Sequence, residues 1–254
     1  MPAVAGVHGA DPVVAEPSAA HAQPAGLHVA RVATIPWEDR INVDNWPSQA
    51  GMYFDDRDNA FTLRLINYPV GSIEPRHVHA GSHATTVLRG RAIVDGRTLG
   101  PLDVILGPSH EPHGPIHYPD GCRLLSAFQG SYFHSEVQQL SGTPQYRLIE
   151  SAGLPWREDT ARNARVRTLV DHGLGRLLVE VLQFDANALL PIARERCAQA
   201  VLVVAGNVGV AASHAPGASA APLGEWDFAY LRERGDALAL EVSAGSTLLW
   251  LTLR

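Results

Sequence analysis

GSIEPRHVHAGSHATTVLRG, residues 71–90, and LDVILGPSHEPH, residues 102–113, decide how this chain is read. His77 and His79 are separated by one residue. On a strand, side chains at i and i+2 point to the same face, so both imidazoles enter one interior while Val78 points away. His83 follows after Ala80-Gly81-Ser82, where the backbone can bend, and His113 has to arrive from another strand. Neutral imidazole is a common ligand of iron, zinc, copper and nickel. The four histidines are therefore expected to hold one divalent metal ion inside a β-barrel.

The frame around them carries a resemblance. Gly71, five residues, His77-x-His79, three residues, His83, six residues and Gly90 match the spacing of the first cupin motif. Asp103, Pro108 five later and His113 ten after the aspartate match the second. The chain thus resembles the cupin superfamily, which implies an all-β fold of double-stranded β-helix (jelly-roll) barrels. It departs from the pattern at His83, where cupins usually carry glutamate, at His110, where they usually carry glycine, and at Leu102, where the second motif usually opens with glycine. A neutral ligand at position 83 leaves a divalent ion its full formal charge of about two, with nothing among its ligands to offset it. Such a site favours an anionic or enolisable chelating ligand, as in the four-histidine cupins and the three-histidine dioxygenases it resembles. His83 is read as a fourth ligand, with a supporting donor beside a three-histidine site as the alternative. Around the ion, Tyr118, Gln129 and His110 are the candidate catalytic side chains. Tyr118 is placed as a donor at the barrel mouth, Gln129 near the end of a closing strand, and His110 in a turn near the mouth. Glu74 and Arg76 are weaker candidates, and Arg64 is read as a solvent-facing strand residue.

The chain has 254 residues, 46% of them hydrophobic, which suits a sizeable core in one large or two small domains. A net charge of −6 argues against a nucleic-acid or anionic-membrane surface. Cys122 and Cys197 form no CxxC and imply no disulfide framework, and a cytoplasmic location is expected. The 23 glycines and 18 prolines fit many short strands joined by turns.

Residues 1–28, rich in Ala, Pro, Gly and Val, are expected to form a flexible arm rather than a signal peptide or membrane span. A metal-binding barrel is expected over 29–135 and a connector over 136–153, with a turn of helix at Glu136–Gln139. Residues 154–254 read as a decayed copy of the first barrel. Pro191 precedes Gly206 by fifteen residues, as Pro75 precedes Gly90, and Asp227 precedes Gly245 by eighteen, as Asp103 precedes Gly121. Leu124-Leu125 and Leu248-Leu249 stand at the same offset after those last glycines. Such spacing argues for duplication of a whole domain. The ligand positions then fall on Ala193, Glu195, Gln199 and Ala237, too few strong donors for a site, so the second barrel is expected to be structural. Covering an apolar face of the first barrel and helping to form a homodimer are the two roles open to it.

By resemblance, the leading expectation is a metal-dependent dioxygenase with Fe(II), cleaving a small enolisable ketone, diketone or phenolic compound. Mn, Ni and Zn are alternatives, because imidazole discriminates poorly among them. A non-redox isomerase, lyase or cyclase, and a metal or ligand sensor of the anti-sigma cupin type, are the competing functions.

Overall fold

The computed structural model describes residues 27–41, 47–56, 60–130, 134–136, 145–171, 177–192, 198–211, 222–231 and 238–253. The expected arm lies outside the described residues apart from its end, as do Ala193, Glu195 and Ala237. Among the described residues there is no α-helix, only a 3-10 turn at Ser151–Gly153, and no helix long and apolar enough to cross a membrane.

Two seven-stranded sheets dominate, and they share one strand order. The first runs Arg147–Ile149, Val104–Gly107, Ser82–Gly90, Cys122–Gln129, Phe61–Tyr68, Pro47–Asp56, Trp37–Ile41. The second runs Leu27–Ala30, Phe228–Leu231, Ala198–Ala205, Thr247–Leu253, Leu177–Gln183, Ala164–Asp171, Arg157–Asp159. Smaller sheets complete each half. Ser72–Glu74, Ile116–Tyr118, Ala92–Val94 and Arg97–Leu99 form one, and His134–Glu136 with His77–His79 another; both belong to the first half. Ala188–Ile192, Leu238–Val242 and Val208–Ala211 belong to the second.

The period of two explains the layers. On Phe61–Tyr68, the side chains of Phe61, Leu63 and Leu65 join a core cluster that also holds Leu169, Val179, Val181, Leu202, Phe228, Tyr230 and Leu251 from the second half. Ile66 and Tyr68 turn the other way, into an interior with Val87, Ile105, Tyr118 and Leu124. A third cluster, with Val166, Phe184, Leu190, Val203, Leu240 and Leu248, fills the second barrel. The second barrel thus covers the outer apolar face of the first. Strands buried on both faces read as nearly continuous apolar runs, as Ala198–Ala205 and Thr247–Leu253 do.

Two strands cross between halves. Leu27–Ala30 pairs with Phe228–Leu231 of the second sheet, and Arg147–Ile149 pairs with Val104–Gly107 of the first. Equivalent aspartates anchor both crossings. Asp103 accepts from the backbone N–H of Gly100 (2.8 Å) and of Ser151 (2.7 Å). Asp227 accepts from the N–H of Gly224 (3.1 Å) and of Val32 (2.9 Å). The same symmetry appears at Gly90 (φ +82°) and Gly206 (φ +88°). A Cβ at Gly90 would stand 2.1 Å from the Gly121 carbonyl oxygen, which is why the turn takes no other residue there.

Two expectations are corrected. The helical turn expected from Glu136 does not begin there: Glu136 ends a strand, with His134, Ser135 and Glu136 opposite His79, Val78 and His77. Residues 137–144 lie outside the described residues. Arg64 is not solvent-facing. It is 4% exposed and paired in register with Ser126, on the interior face of its strand.

Candidate metal centre

His77 and His113 are brought together by backbone pairing. Each donates its N–H to the other's carbonyl at 3.0 Å, an isolated antiparallel bridge that closes one end of the barrel. His79 follows two residues on, and its carbonyl accepts from the His110 N–H at 2.8 Å. The nitrogens of His77, His79 and His113 lie within 4.8 Å of one another, a set that could hold a metal ion. His77 and His113 are buried, at 3% and 2% exposure.

The rings are oriented for ligation. His77 Nδ1 lies 2.8 Å from the Pro75 carbonyl oxygen, and His113 Nδ1 lies 3.2 Å from that of Glu111. A carbonyl oxygen only accepts, so each Nδ1 carries a hydrogen, and Nε2 is the ring nitrogen left to ligate an ion. Fixing the tautomer through the other nitrogen is how proteins aim metal-ligating histidines. His77 Nε2 and His79 Nε2 stand 3.1 Å apart, the spacing of adjacent donors on one ion. The donor set fits a divalent transition metal.

His83 lies against this set. Its ring centroid is 4.6 Å from that of His79 and 4.8 Å from that of His113, but its nitrogens are outside the group of three. Its Nδ1 is buried without a hydrogen-bond partner among the described residues. Burial, then the nearby His113 and His77 charges, push its pKa well below the usual imidazole range, so the ring is neutral. Phe128 packs edge-on to His79 at 4.9 Å and tilted against His83 at 5.6 Å, giving the site an apolar wall.

The other expected residues fall in different places. Tyr118 is not at the mouth: it is fully buried, stacked on Tyr68 at 4.1 Å, with its hydroxyl donating to Glu74 Oε2 at 2.7 Å. Burial, then the Glu74 carboxylate, push its phenol well above the usual range, so it keeps the proton it donates to Glu74. Gln129 follows Phe128 and so points to the opposite face. It lines a small cavity between the barrels with Ser82, His83, Leu106, Val170 and Leu177. His110 is an exposed turn residue at φ +59°, and its contribution to the site is the backbone bond to His79. Arg76 donates from Nε to the Gly114 carbonyl at 2.9 Å and so steadies the loop that carries His113. Glu74 Oε1 lies 3.6 Å from His77 Nε2. Burial alone would raise the Glu74 pKa, but the His77 charge, the Tyr68 and Tyr118 hydroxyls and the His113 charge hold it below the usual range.

Solved structures share this architecture. A candidate dioxygenase from Nostoc punctiforme is 13% identical over 91% of this chain and 84% of that one, with a TM-score of 0.73. Oxalate decarboxylase from Bacillus subtilis is 11% identical over 88% and 75%, with a TM-score of 0.62. The fold is that of a bicupin. HEPD of Streptomyces albus, solved with 2-hydroxyethylphosphonate and Fe(II) bound, matches over 92% of this chain and 77% of that one, at 12% identity and a TM-score of 0.64. No family model and no curated protein matches the sequence. At such identities the likeness establishes the fold, and the chemistry of this chain has to be argued from its own residues.

Proposed function

We propose that this bicupin is a metal-dependent dioxygenase, with Fe(II) bound by His77, His79 and His113 and a small enolisable ketone, diketone or phenolic compound as substrate. The observation that carries the reading is the aim of the rings: with Nδ1 of His77 and His113 committed to backbone carbonyls, Nε2 lone pairs converge inside an apolar barrel end. The Fe(II)-bound and dioxygenase-described neighbours support it without naming a substrate. Bound Fe(II) supplies the redox chemistry toward dioxygen and the Lewis acidity toward a substrate oxygen.

The chain's own groups do the rest. Phe128 keeps water from the rings. His83, neutral and beside His79 and His113, accepts a hydrogen bond from a substrate hydroxyl or enol rather than ligating the ion. Arg76 holds the Gly114 carbonyl, and with it the angle at which His113 approaches. Tyr118 acts through Glu74 rather than at the mouth.

Because a decarboxylase shares the fold, non-redox lyase chemistry is the second reading. Oxygen uptake by Fe(II)-reconstituted protein with a panel of enolisable diketones and phenols separates the two. Consumption of one dioxygen per product supports the dioxygenase; metal-dependent product formation under anaerobic conditions supports the lyase and overturns the first reading. We also propose a homodimer in the cytoplasm, acting on a small molecule, and sedimentation of the purified chain tests the assembly.

A further inference from the structure

The two barrels leave a cavity of about 10 Å³ between them, lined by Ser82, His83, Leu106 and Gln129 of the first and by Val170 and Leu177 of the second. We propose that this cavity is a dioxygen site, through which dioxygen reaches the metal centre past His83, apart from the organic substrate. The inference rests on the dioxygenase reading above and deepens it.

Three observations carry it. First, the cavity ends at the metal centre. The His83 ring, part of its lining, has its centroid 4.6 Å from that of His79 and 4.8 Å from that of His113. One imidazole thus separates the cavity from two of the three candidate ligands, and Gly107, opposite His83 in register, adds no side chain to that wall. Second, the size selects. Such a volume admits one molecule as small as water or dioxygen and no ketone or phenol. Third, the lining is graded. Ser82 and Gln129 are cross-strand partners, both half-buried, and make its polar side. Leu106, Val170 and Leu177 are 6% exposed or less and belong to the core cluster shared by the barrels. Dioxygen carries no charge and no hydrogen-bond donor, so apolar walls favour it, whereas a water molecule among them gives up hydrogen bonds.

The consequence is a role for the second barrel. Val170 and Leu177 supply two of the three apolar walls, so the half that carries no candidate ligand among its described residues shapes the passage. An organic chelate covering the metal from the barrel mouth then leaves the way open for dioxygen.

Dioxygen itself is the probe, because it is paramagnetic and speeds the relaxation of methyl protons that it visits. In Zn(II)-loaded protein under dioxygen pressure, the methyl groups of Leu106, Val170 and Leu177 are expected to relax at least about threefold faster than those of Leu182 and Val208, which lie fully buried in the second barrel's own core. Val170→Ile adds one methylene to the cavity. It is expected to remove this excess and to slow the oxidation of bound Fe(II), in which each ion gives one electron to a dioxygen that leaves as superoxide, by about threefold or more. Val170→Ala, which enlarges the cavity, is expected to speed the same oxidation, and both variants should keep the wild-type Fe(II) dissociation constant. Cavity methyls that relax no faster than the control methyls overturn the proposal, as does an oxidation rate that both variants leave at the wild-type value. Cross-relaxation of the cavity methyls with water, without enhancement by dioxygen, makes the cavity a hydration site and overturns it too. Should Val170→Ile lose the wild-type circular dichroism, Leu177→Phe decides, since it fills the cavity from the neighbouring strand. Failure of the underlying reading shows differently: metal-dependent product formed without dioxygen overturns the dioxygenase, and the dioxygen site with it, whatever the methyl relaxation.

Discussion

His83 and Gly107 face each other across adjacent strands, and the pair shows how closely the site is packed. A Cβ at Gly107 would stand 2.2 Å from Cε1 of the His83 ring, so the imidazole fits only because position 107 has no side chain. Gly107→Ala is expected to displace the ring and cost about 1–3 kcal/mol in urea unfolding, with metal stoichiometry kept. His83→Ala separates the two roles open to this residue. Because the His83 nitrogens lie outside the group of three, Zn(II) affinity is expected to stay within about threefold of wild type. His79→Ala should lose more than the roughly 10–100-fold that removal of a supporting group costs. Equal losses in competition titrations would make His83 a ligand.

At the scale of the element, the second barrel carries its own buried ionic network. Glu180, 4% exposed at its side chain, accepts from Arg162 at 2.8 Å and from Arg157 at 2.7 Å, and Arg162 also pairs with Asp159 at 2.8 Å. Arg162→Met leaves a buried carboxylate with the more exposed Arg157 and the Thr168 hydroxyl, and is expected to cost about 3 kcal/mol while metal binding stays at the wild-type level. Burial pushes the Asp159 pKa up, but hydrogen bonds from Arg162 and its charge outweigh this and hold it low. The folded chain therefore releases this proton more readily than the unfolded one. The resulting stability is present above about pH 4 and is lost as pH falls through the folded-state value. Denaturant midpoints measured from pH 5 to pH 3 should fall more steeply for the wild type than for Asp159→Asn.

The same scale shows what a sequence can and cannot reveal. His77 and His79 were legible because a period of two on a strand is local, and His113 because the spacing from Asp103 fixes a strand and a loop. The duplication was legible through Asp103 and Asp227, which make matching turns. Pairing partners were not. Nothing in Leu27–Ala30 says that it joins a strand some two hundred residues away, nor in Arg147–Ile149 that it returns to the first sheet. Arg64 was misread because alternation gives two faces without saying which is inside, and in this sheet both are covered. The hydrogen bond from Tyr118 to Glu74 was not legible either, because it forms across paired strands.

At the scale of the molecule, the two barrels share a core rather than touching at an edge. Tyr53 stacks on Phe228 at 5.2 Å, and the Tyr230 hydroxyl donates to Asp56 at 2.7 Å, each pair spanning the halves. Leu251 of the second barrel is 1% exposed within that shared cluster. Leu251→Ala is expected to cost about 2–5 kcal/mol and to shift tryptophan fluorescence and far-ultraviolet circular dichroism together, in one transition. Two separate transitions would mean that the barrels unfold independently.

The proposed function calls for one ion per chain, held in the N-terminal barrel. Metal analysis after equilibrium dialysis of the apoprotein against Zn(II) tests this most directly, with wild type and His113→Ala side by side. The expected result is about one equivalent per wild-type chain and less than about a tenth of that for the variant. Two equivalents, or a full equivalent retained by His113→Ala, would contradict it.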